Sequence, residues 1–496
     1  MSDRRECGVL LPVSSLPSKY GIGCFSKSAY EFVDGLKAAG QDCWQILPLG
    51  PTSYGDSPYQ SFSTFAGNPY FISLEDLIEE GVLSEKECDS ADFGQDPSSV
   101  DYAKIYKSRT GLLRKAYERS NIAENEEFLQ FQQEEAWWLK DYALFMAVKQ
   151  RFDGKPWSEW AEDIRLRWQN ALDYYREELY FEIEFQEYMQ FKFRQQWMKL
   201  KAYANEQGIR IIGDIPIYVA MDSADTWASP WLFKLDEKNC PTQVAGCPPD
   251  GFSATGQLWG NPLYSWEYHR STEYTWWIQR MSHCMEIYDV VRIDHFRGFD
   301  EYYSIPYGDE TAEYGHWEKG PGLELFKVLQ EKLPDLEVIA EDLGFLTETV
   351  LEMVKETGFP GMKVLHFAFG EDENNGYLPH RYGRNCIVYT GTHDNETTKG
   401  WLEGLDEKTL AFVRAYTACE DRPVDECVWA VIRAAISSVA DLAVIPMQDY
   451  LCLGNEARMN TPSTLGNNWK WRMKKDDITP GLLKKIRAMS KLYGRV

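Results

Sequence analysis

Eight short apolar runs punctuate the chain: CGVLLPV (7–13), CWQILPL (43–49), IRIIGDIPIYV (209–219), DVVRIDHF (289–296), EVIAEDLG (337–344), GMKVLHFAF (361–369), CIVYTGTH (386–393) and DLAVIPMQDY (441–450). They are rich in β-branched residues and continuous rather than alternating, as strands buried on both faces read. Longer helical stretches separate them. Eight such strands alternating with helices predict an α/β protein with a closed (β/α)8 barrel. Each run also ends in polar residues, as the ligand-facing end of a barrel requires.

The spacing is uneven. Residues 50–208 separate the second and third runs, far more than a βα unit needs. Segment 75–205 is rich in Glu, Lys, Trp and Tyr with helical periodicity, as in EEAWWLKDYALFMAVKQRF (134–152). It is predicted to be a helical insertion subdomain. A second insertion, 222–285, includes CPPDGFSATGQLWGNPLY (247–264), whose Pro, Gly and aromatic content predicts a shaped loop over the site rather than a helix. Residues 1–496 then form a single catalytic barrel carrying both insertions. The last run leaves about 55 residues, too few for a C-terminal β-sandwich domain.

Charge narrows the partners. Lys and Arg number 52 against 77 Asp and Glu, a net charge of −25, which disfavours nucleic acid and anionic membrane surfaces. Neutral substrates remain compatible. The eleven cysteines are scattered, and no CxxC pair occurs. Reduced thiols and a cytoplasmic protein are expected. The N-terminal GVLLPV is too short for a signal peptide and is interrupted by Pro12. No run reaches the ~18 apolar residues needed to span a membrane.

Three carboxylates stand where apolar runs end. Asp294 follows VVRI, flanked by Arg292, His295 and Arg297. Cations nearby keep a carboxylate ionised, which suits a nucleophile; the plainer reading is an Asp–Arg pair tying a strand end. Glu341 follows VIA and precedes Asp342, and adjacent acids raise one another's pKa, as a proton donor needs. It equally fits a helix cap. Asp394 lies between His393 and Asn395, in a stretch that also resembles a helix start. A pair of carboxylates facing one bond is what glycoside chemistry needs. HExxH, EF-hand, G-x-S-x-G and glycine-rich phosphate patterns are absent, so no metal and no cofactor are expected.

Aromatics in Gly, Ser and Pro loops are the second strong feature. Segment 51–70 carries Tyr54, Tyr59, Phe62, Phe65 and Tyr70, and 247–264 carries Phe252, Trp259 and Tyr264. Sugar rings stack their apolar faces on such rings, although core packing explains most single aromatics.

Taken jointly, GVLLPVSSLPSKYGIG, PLGPTSYGDSPYQSFSTFAGNPY, GDIPIYVAMDSADTW, PPDGFSATGQLWGNPLY, RIDHFRGF, AEDLG, GTHDNETT and NTPSTLGNNWKWR resemble glycoside hydrolase family 77, the 4-α-glucanotransferases, over essentially the whole chain. The resemblance implies a retaining transfer of α-1,4-glucan segments between maltooligosaccharides, without metal. It implies Asp294 as nucleophile, Glu341 as acid/base and Asp394 as transition-state stabiliser. It places Tyr59, Asp214, Arg292, His295 and His393 around the attacked glucose, Trp259 and Asn468 at neighbouring units, and Tyr54 in a secondary groove. One departure stands out: where relatives carry an aromatic pair after PPD, this chain reads Gly251–Phe252. Phe252 is left as the stacking ring, and a weaker grip of that loop on long glucans is expected. The rivals are an α-amylase-type hydrolase, which uses the same acids, and a catalytically dead glucan-binding protein, which an intact set of acids disfavours.

Overall fold

A computed structural model describes residues 4–249, 253–344, 346–370 and 375–496. Among them twelve strands form two sheets: β1 (Glu6–Leu10), β2 (Cys43–Gln45), β3 (Arg210–Pro216), β4 (Gln243–Cys247), β5 (Gln257–Pro262), β6 (Val290–Asp294), β7 (Glu301–Pro306), β8 (His316–Lys319), β9 (Val338–Ala340), β10 (Gly361–Val364), β11 (Cys386–Tyr389) and β12 (Leu442–Pro446). Eight close a parallel barrel in the order β1-β12-β11-β10-β9-β6-β3-β2. Each of the eight predicted runs supplies one of them. Their central residues are buried on both faces because side chains fill the barrel inside and helices cover it outside.

Closure joins the two ends of the sequence. β1 pairs with β12 from Glu6↔Leu442 to Leu10↔Pro446. Arg495, fully buried, donates to the carbonyls of Glu6, Ile436, Ser438 and Ala440. One guanidinium thus satisfies four backbone acceptors below the first and last barrel strands.

The insertion 222–285 departs from the expected loop. It holds β4 and β5 together with the helices Ala224–Ala228, Trp266–Ser271 and Thr275–Ile287. β4 and β5 join an antiparallel sheet in the order β5-β4-β7-β8. Its pairing partner β7 lies outside the insertion, beyond β6. Local periodicity therefore carries no trace of the sheet, since a strand so short gains its stability from its neighbours.

Segment 75–205 is dominated by helices, the longest being Tyr180–Glu206 with 27 residues. In it Phe185, Tyr188, Met189, Phe193, Trp197, Leu200 and Ala204 are buried at three- and four-residue spacing, the signature of a core-facing stripe. The same helix grips the aromatic segment 51–70. Gln190 accepts from the Gly67 amide at 2.7 Å and donates to the Gly67 carbonyl at 2.9 Å. Two turns on, Gln196 accepts from Ser73 N–H at 2.6 Å and donates back to its carbonyl at 3.3 Å. Only glycine fits at 67, because a Cβ there would sit 2.2 Å from the Phe193 ring.

The polypeptide after β12 crosses back over the open end of the barrel. The Val100 amide donates to the Lys470 carbonyl and the Arg472 amide to Ser98, each at 2.8 Å. Ser15 Oγ donates to Trp471 O at 2.7 Å, and Tyr102 Oη to Trp469 O at 2.7 Å. This strap rests on the first βα loop and on the helical segment together.

Replacing Gln190 by Leu leaves the Gly67 N–H and C=O buried and unpaired. Each such group costs ~1–3 kcal/mol. Gln190→Leu is therefore expected to lose about 2–4 kcal/mol in urea unfolding, whereas an unchanged midpoint would mean that the 51–70 segment is held by packing alone.

Candidate active site

The barrel's carboxyl ends, the 51–70 segment, β5 and the strap enclose a cleft of about 470 Å³. Six of the predicted residues line it: Tyr59, Trp259, Asp294, His295, His393 and Asp394. Register explains how they meet. Asp214 on β3 lies opposite Arg292 on β6, and Pro216 opposite Asp294. Residues two apart on a strand share a face, so Arg292 and Asp294 both point inward. β9 lies on the other side of β6, with Ile293 opposite Ala340. The next residue on each strand is Asp294 and Glu341, which brings the two acids together.

Arg292 is buried beneath the cleft. Its Nη1 donates to both oxygens of the fully buried Asp214 at 2.7 Å, and its Nη2 lies 3.0 Å from Asp294 Oδ1. Asp294 keeps 30 % of its side chain open to the cleft. Glu341 has a different setting. Its Oε2 accepts from the His295 amide at 2.6 Å and its Oε1 from the Leu343 amide at 3.0 Å. His295 adopts a left-handed backbone, φ 55° and ψ 48°, which aims that amide at Glu341. Such a conformation is uncommon outside glycine and is held only where the surroundings enforce it.

These settings separate the two acids. Burial pushes the Glu341 pKa up, the Asp294 charge raises it further, and Arg292 and the two amides pull it back only in part. Burial also raises Asp294, but the Arg292 guanidinium opposes that, so Asp294 is raised less. Glu341 is the acid that keeps a proton, and Asp294 the one that gives it up first.

A hydrogen-bonded chain fixes the ring beside them. The single proton of Tyr59 Oη goes to Asp214 Oδ2 at 2.8 Å. His393 Nε2 lies 2.9 Å from the same Tyr59 oxygen, so the histidine must donate there and carries hydrogen on Nε2. Tyr59 and His393 stack with centroids 5.2 Å apart. On the other wall the Trp259 ring stands edge-on to His295 at 4.9 Å, its indole N–H on Gln257 Oε1 at 3.1 Å. Burial holds the His295 imidazole neutral, its pKa lowered to about 3, and its Nε2 has no hydrogen-bond partner among the described residues.

The remaining predicted positions fall differently. Asn468 is not on the cleft wall: its Oδ1 accepts from the Thr461 amide and its Nδ2 donates to the Thr464 carbonyl, closing a turn of the strap. Tyr54 opens the short turn Tyr54–Asp56 within the 51–70 segment. Gly251 and Phe252 lie outside the described residues. Sequence reasoning passed over Arg458, Asn460, Gln60, Gln257 and Trp469. Asn460, Gln60, Gln257 and Trp469 line the cleft, and Arg458 touches the backbone of Asp394. All but Arg458 sit in segments already quoted for their motifs, and Arg458 lies two residues before one of them.

A barrel with paired acids at adjacent strand ends and an aromatic-walled cleft is the architecture of a carbohydrate-active enzyme. The model of the glycoside hydrolase family 77, 4-alpha-glucanotransferase, matches residues 11–479. The 4-alpha-glucanotransferase of Clostridium butyricum is 50% identical over 486 residues, covering 97% of this chain and 99% of its own. That of Streptococcus pneumoniae is 50% identical over 496 residues, covering 99% and 98%. The amylomaltase of Streptococcus agalactiae, solved in complex with acarbose, superposes with a TM-score of 0.96 at 43% identity, covering 99% of this chain and 100% of its own. The chain belongs to the 4-alpha-glucanotransferase family, glycoside hydrolase family 77, a family of transferases rather than of α-amylase-type hydrolases.

Arg292→Lys keeps a positive charge but loses the planar fork that reaches Asp214 and Asp294 at once. Arg292 lowers both Asp294 and Glu341, so loosening it raises both. An ionised Asp294 is then lost at a higher pH as the solution is acidified. The acid limb of kcat/KM is expected to move up by roughly one pH unit, and the alkaline limb to move in the same direction. A shift to lower pH would remove Arg292 as the balancing charge.

Proposed function

We propose that this enzyme moves α-1,4-glucan segments between maltooligosaccharides by a retaining double displacement in which Asp294 is the nucleophile and Glu341 the acid/base. The observation that carries the assignment is the asymmetry of the two acids on neighbouring strands, with the guanidinium on Asp294 and only backbone amides on Glu341. Asp294 Oδ attacks the anomeric carbon of the donor. The glycosidic C–O bond breaks, and Glu341 gives its proton to the leaving 4-oxygen. The fragment bearing the new 4-hydroxyl end departs, leaving a β-glucosyl ester on Asp294. Glu341, now a carboxylate, takes the proton of an acceptor 4-hydroxyl as that oxygen attacks the same carbon. Asp294 leaves, and two inversions restore the α-bond.

The other residues have supporting parts. Tyr59, His295 and His393 would hold the attacked glucose from the sides, with Asp214 and Arg292 fixing them from below. Neutral His295 forms part of the cleft wall. Trp259 offers a face for the adjoining unit. Asp394 would stabilise the positive charge that develops on the sugar ring. Asn468 closes a turn of the strap with one Oδ1 lone pair, and its remaining hydrogen-bonding capacity would serve a neighbouring glucose unit. The acarbose complex of the Streptococcus agalactiae relative supports a carbohydrate as ligand. No described helix is long and apolar enough to cross a membrane. Eleven unbonded cysteines support a cytoplasmic location.

Maltotriose with the purified protein tests the reaction. A ladder of longer glucans with free glucose is expected; glucose and maltose alone would favour the amylase-type alternative. Asp294→Asn is expected to lose roughly 10³-fold or more in kcat without loss of fold, and near-normal turnover would overturn the nucleophile. Glu341→Gln is expected to lose least on donors whose leaving group needs no proton, such as a glycosyl fluoride, with the glycosylation step surviving better than transfer to a sugar acceptor, which still needs the base. Equal losses on good and poor leaving groups would exclude it as the acid.

A further inference from the structure

We infer that Asn460 is a positioning residue for Asp394, locked in place by Arg458; the inference rests on the proposed reading of Asp394 as the stabilising carboxylate. Asp394 lies on the loop after β11, in neither helix nor strand, with 44% of its side chain open to the cleft. Its own loop offers little to orient it. Its amide donates to Thr392 Oγ1 at 3.3 Å, and nothing in that contact directs the carboxylate. His393 Nε2 is 3.5 Å from Oδ1, but its hydrogen is committed to Tyr59 at the shorter distance of 2.9 Å.

The strap supplies what the loop lacks. Asn460 Nδ2 donates to Asp394 Oδ1 at 2.6 Å. The Asn460 amide donates to the His393 carbonyl at 3.1 Å. Arg458 Nη2 donates to the Asp394 carbonyl at 2.8 Å, and its Nε to the carbonyl of Asn460 at 2.8 Å. Side chain and backbone of the acid are thus held by one short piece of chain, and that piece is clamped to itself. The residue type matters. An amide donates without adding charge, so Asp394 keeps its full negative charge for the sugar. One oxygen is tied by Asn460, and the carboxylate still lines the cleft. A carboxylate freed to rotate would lose the alignment on which electrostatic stabilisation depends.

A double-mutant cycle tests this, using Asn460→Ala, Asp394→Asn and both together, with maltotriose and with an activated maltosyl fluoride donor. Asn460→Ala is expected to lower kcat by about 10- to 100-fold, with KM changed by less than about twofold. In the Asp394→Asn background the same change is expected to cost less than about twofold, because no carboxylate remains to position. Asn460→Asp preserves size and shape but sets a like charge against Asp394, and is expected to fall at least as far as Asn460→Ala. Thermal midpoints of the three variants separate these losses from unfolding, and the isosteric Asn460→Asp keeps the test open where Asn460→Ala is unstable. Equal losses from Asn460→Ala in both backgrounds, an effect on KM alone, or a near-normal Asn460→Asp would each overturn the inference. An Asp394→Asn variant with normal kcat would overturn the underlying reading of Asp394, and the inference with it. A collapse of Asp394→Asn with additive loss at Asn460 would overturn the inference alone.

Discussion

One guanidinium orders this site. Arg292 is buried below the cleft and must have anions around it, because an unpaired buried charge is prohibitively costly. Asp214 answers from β3, and Asp294 from two residues along the same strand. That arrangement decides which acid remains charged. It also decides which ring stands over it, since Asp214 accepts the hydrogen bond of Tyr59 Oη and that oxygen in turn accepts one from His393. The barrel supplies the register that makes these contacts automatic: residues opposite one another on adjacent parallel strands point to the same interior.

The barrel does not make the site alone. Its walls come from segments that a minimal (β/α)8 unit lacks. The helix Tyr180–Glu206 holds the Tyr59-bearing segment by paired glutamine contacts to backbone. The strap after β12 holds Asp394, and β5 presents Trp259. Glutamine side chains seize the main chain of the first, and both the main chain and the carboxylate of Asp394 are held by the strap. A site assembled in this way is preorganised: the groups that must face the charge forming on a sugar are in place before it forms.

Much of this was legible in the sequence because of burial. Strands covered on both sides write continuous apolar runs, so all eight barrel strands could be read in order, and an acid at the end of such a run reads as ligand-facing. The antiparallel sheet β5-β4-β7-β8 could not, since β4 and β7 find each other across an intervening barrel strand. The predicted loop was the part of that sheet visible to local composition. Asn460 and Arg458 were missed for a related reason. Their partner Asp394 is 66 and 64 residues away, and a short polar side chain in a Pro- and Ser-containing loop looks the same whether it orients a carboxylate or faces water.

The pairing of β1 with β12 has a consequence for how the molecule comes into being. A strand at residues 6–10 pairs on one side with residues 43–45, but can find its second partner only when residues 442–446 have been made. Until then the growing chain exposes the open edges of an unclosed parallel sheet, along with the apolar faces that sheet will bury. Contacts of such sequence separation are slow to form, because loop entropy is lost before any of it is recovered. Helices such as Tyr180–Glu206 can form early and locally, but the cleft depends on the last ring contact. Activity is thus a property acquired only once residues 442–446 are in place, and the interval before closure is when the chain has most need of shielding from its neighbours.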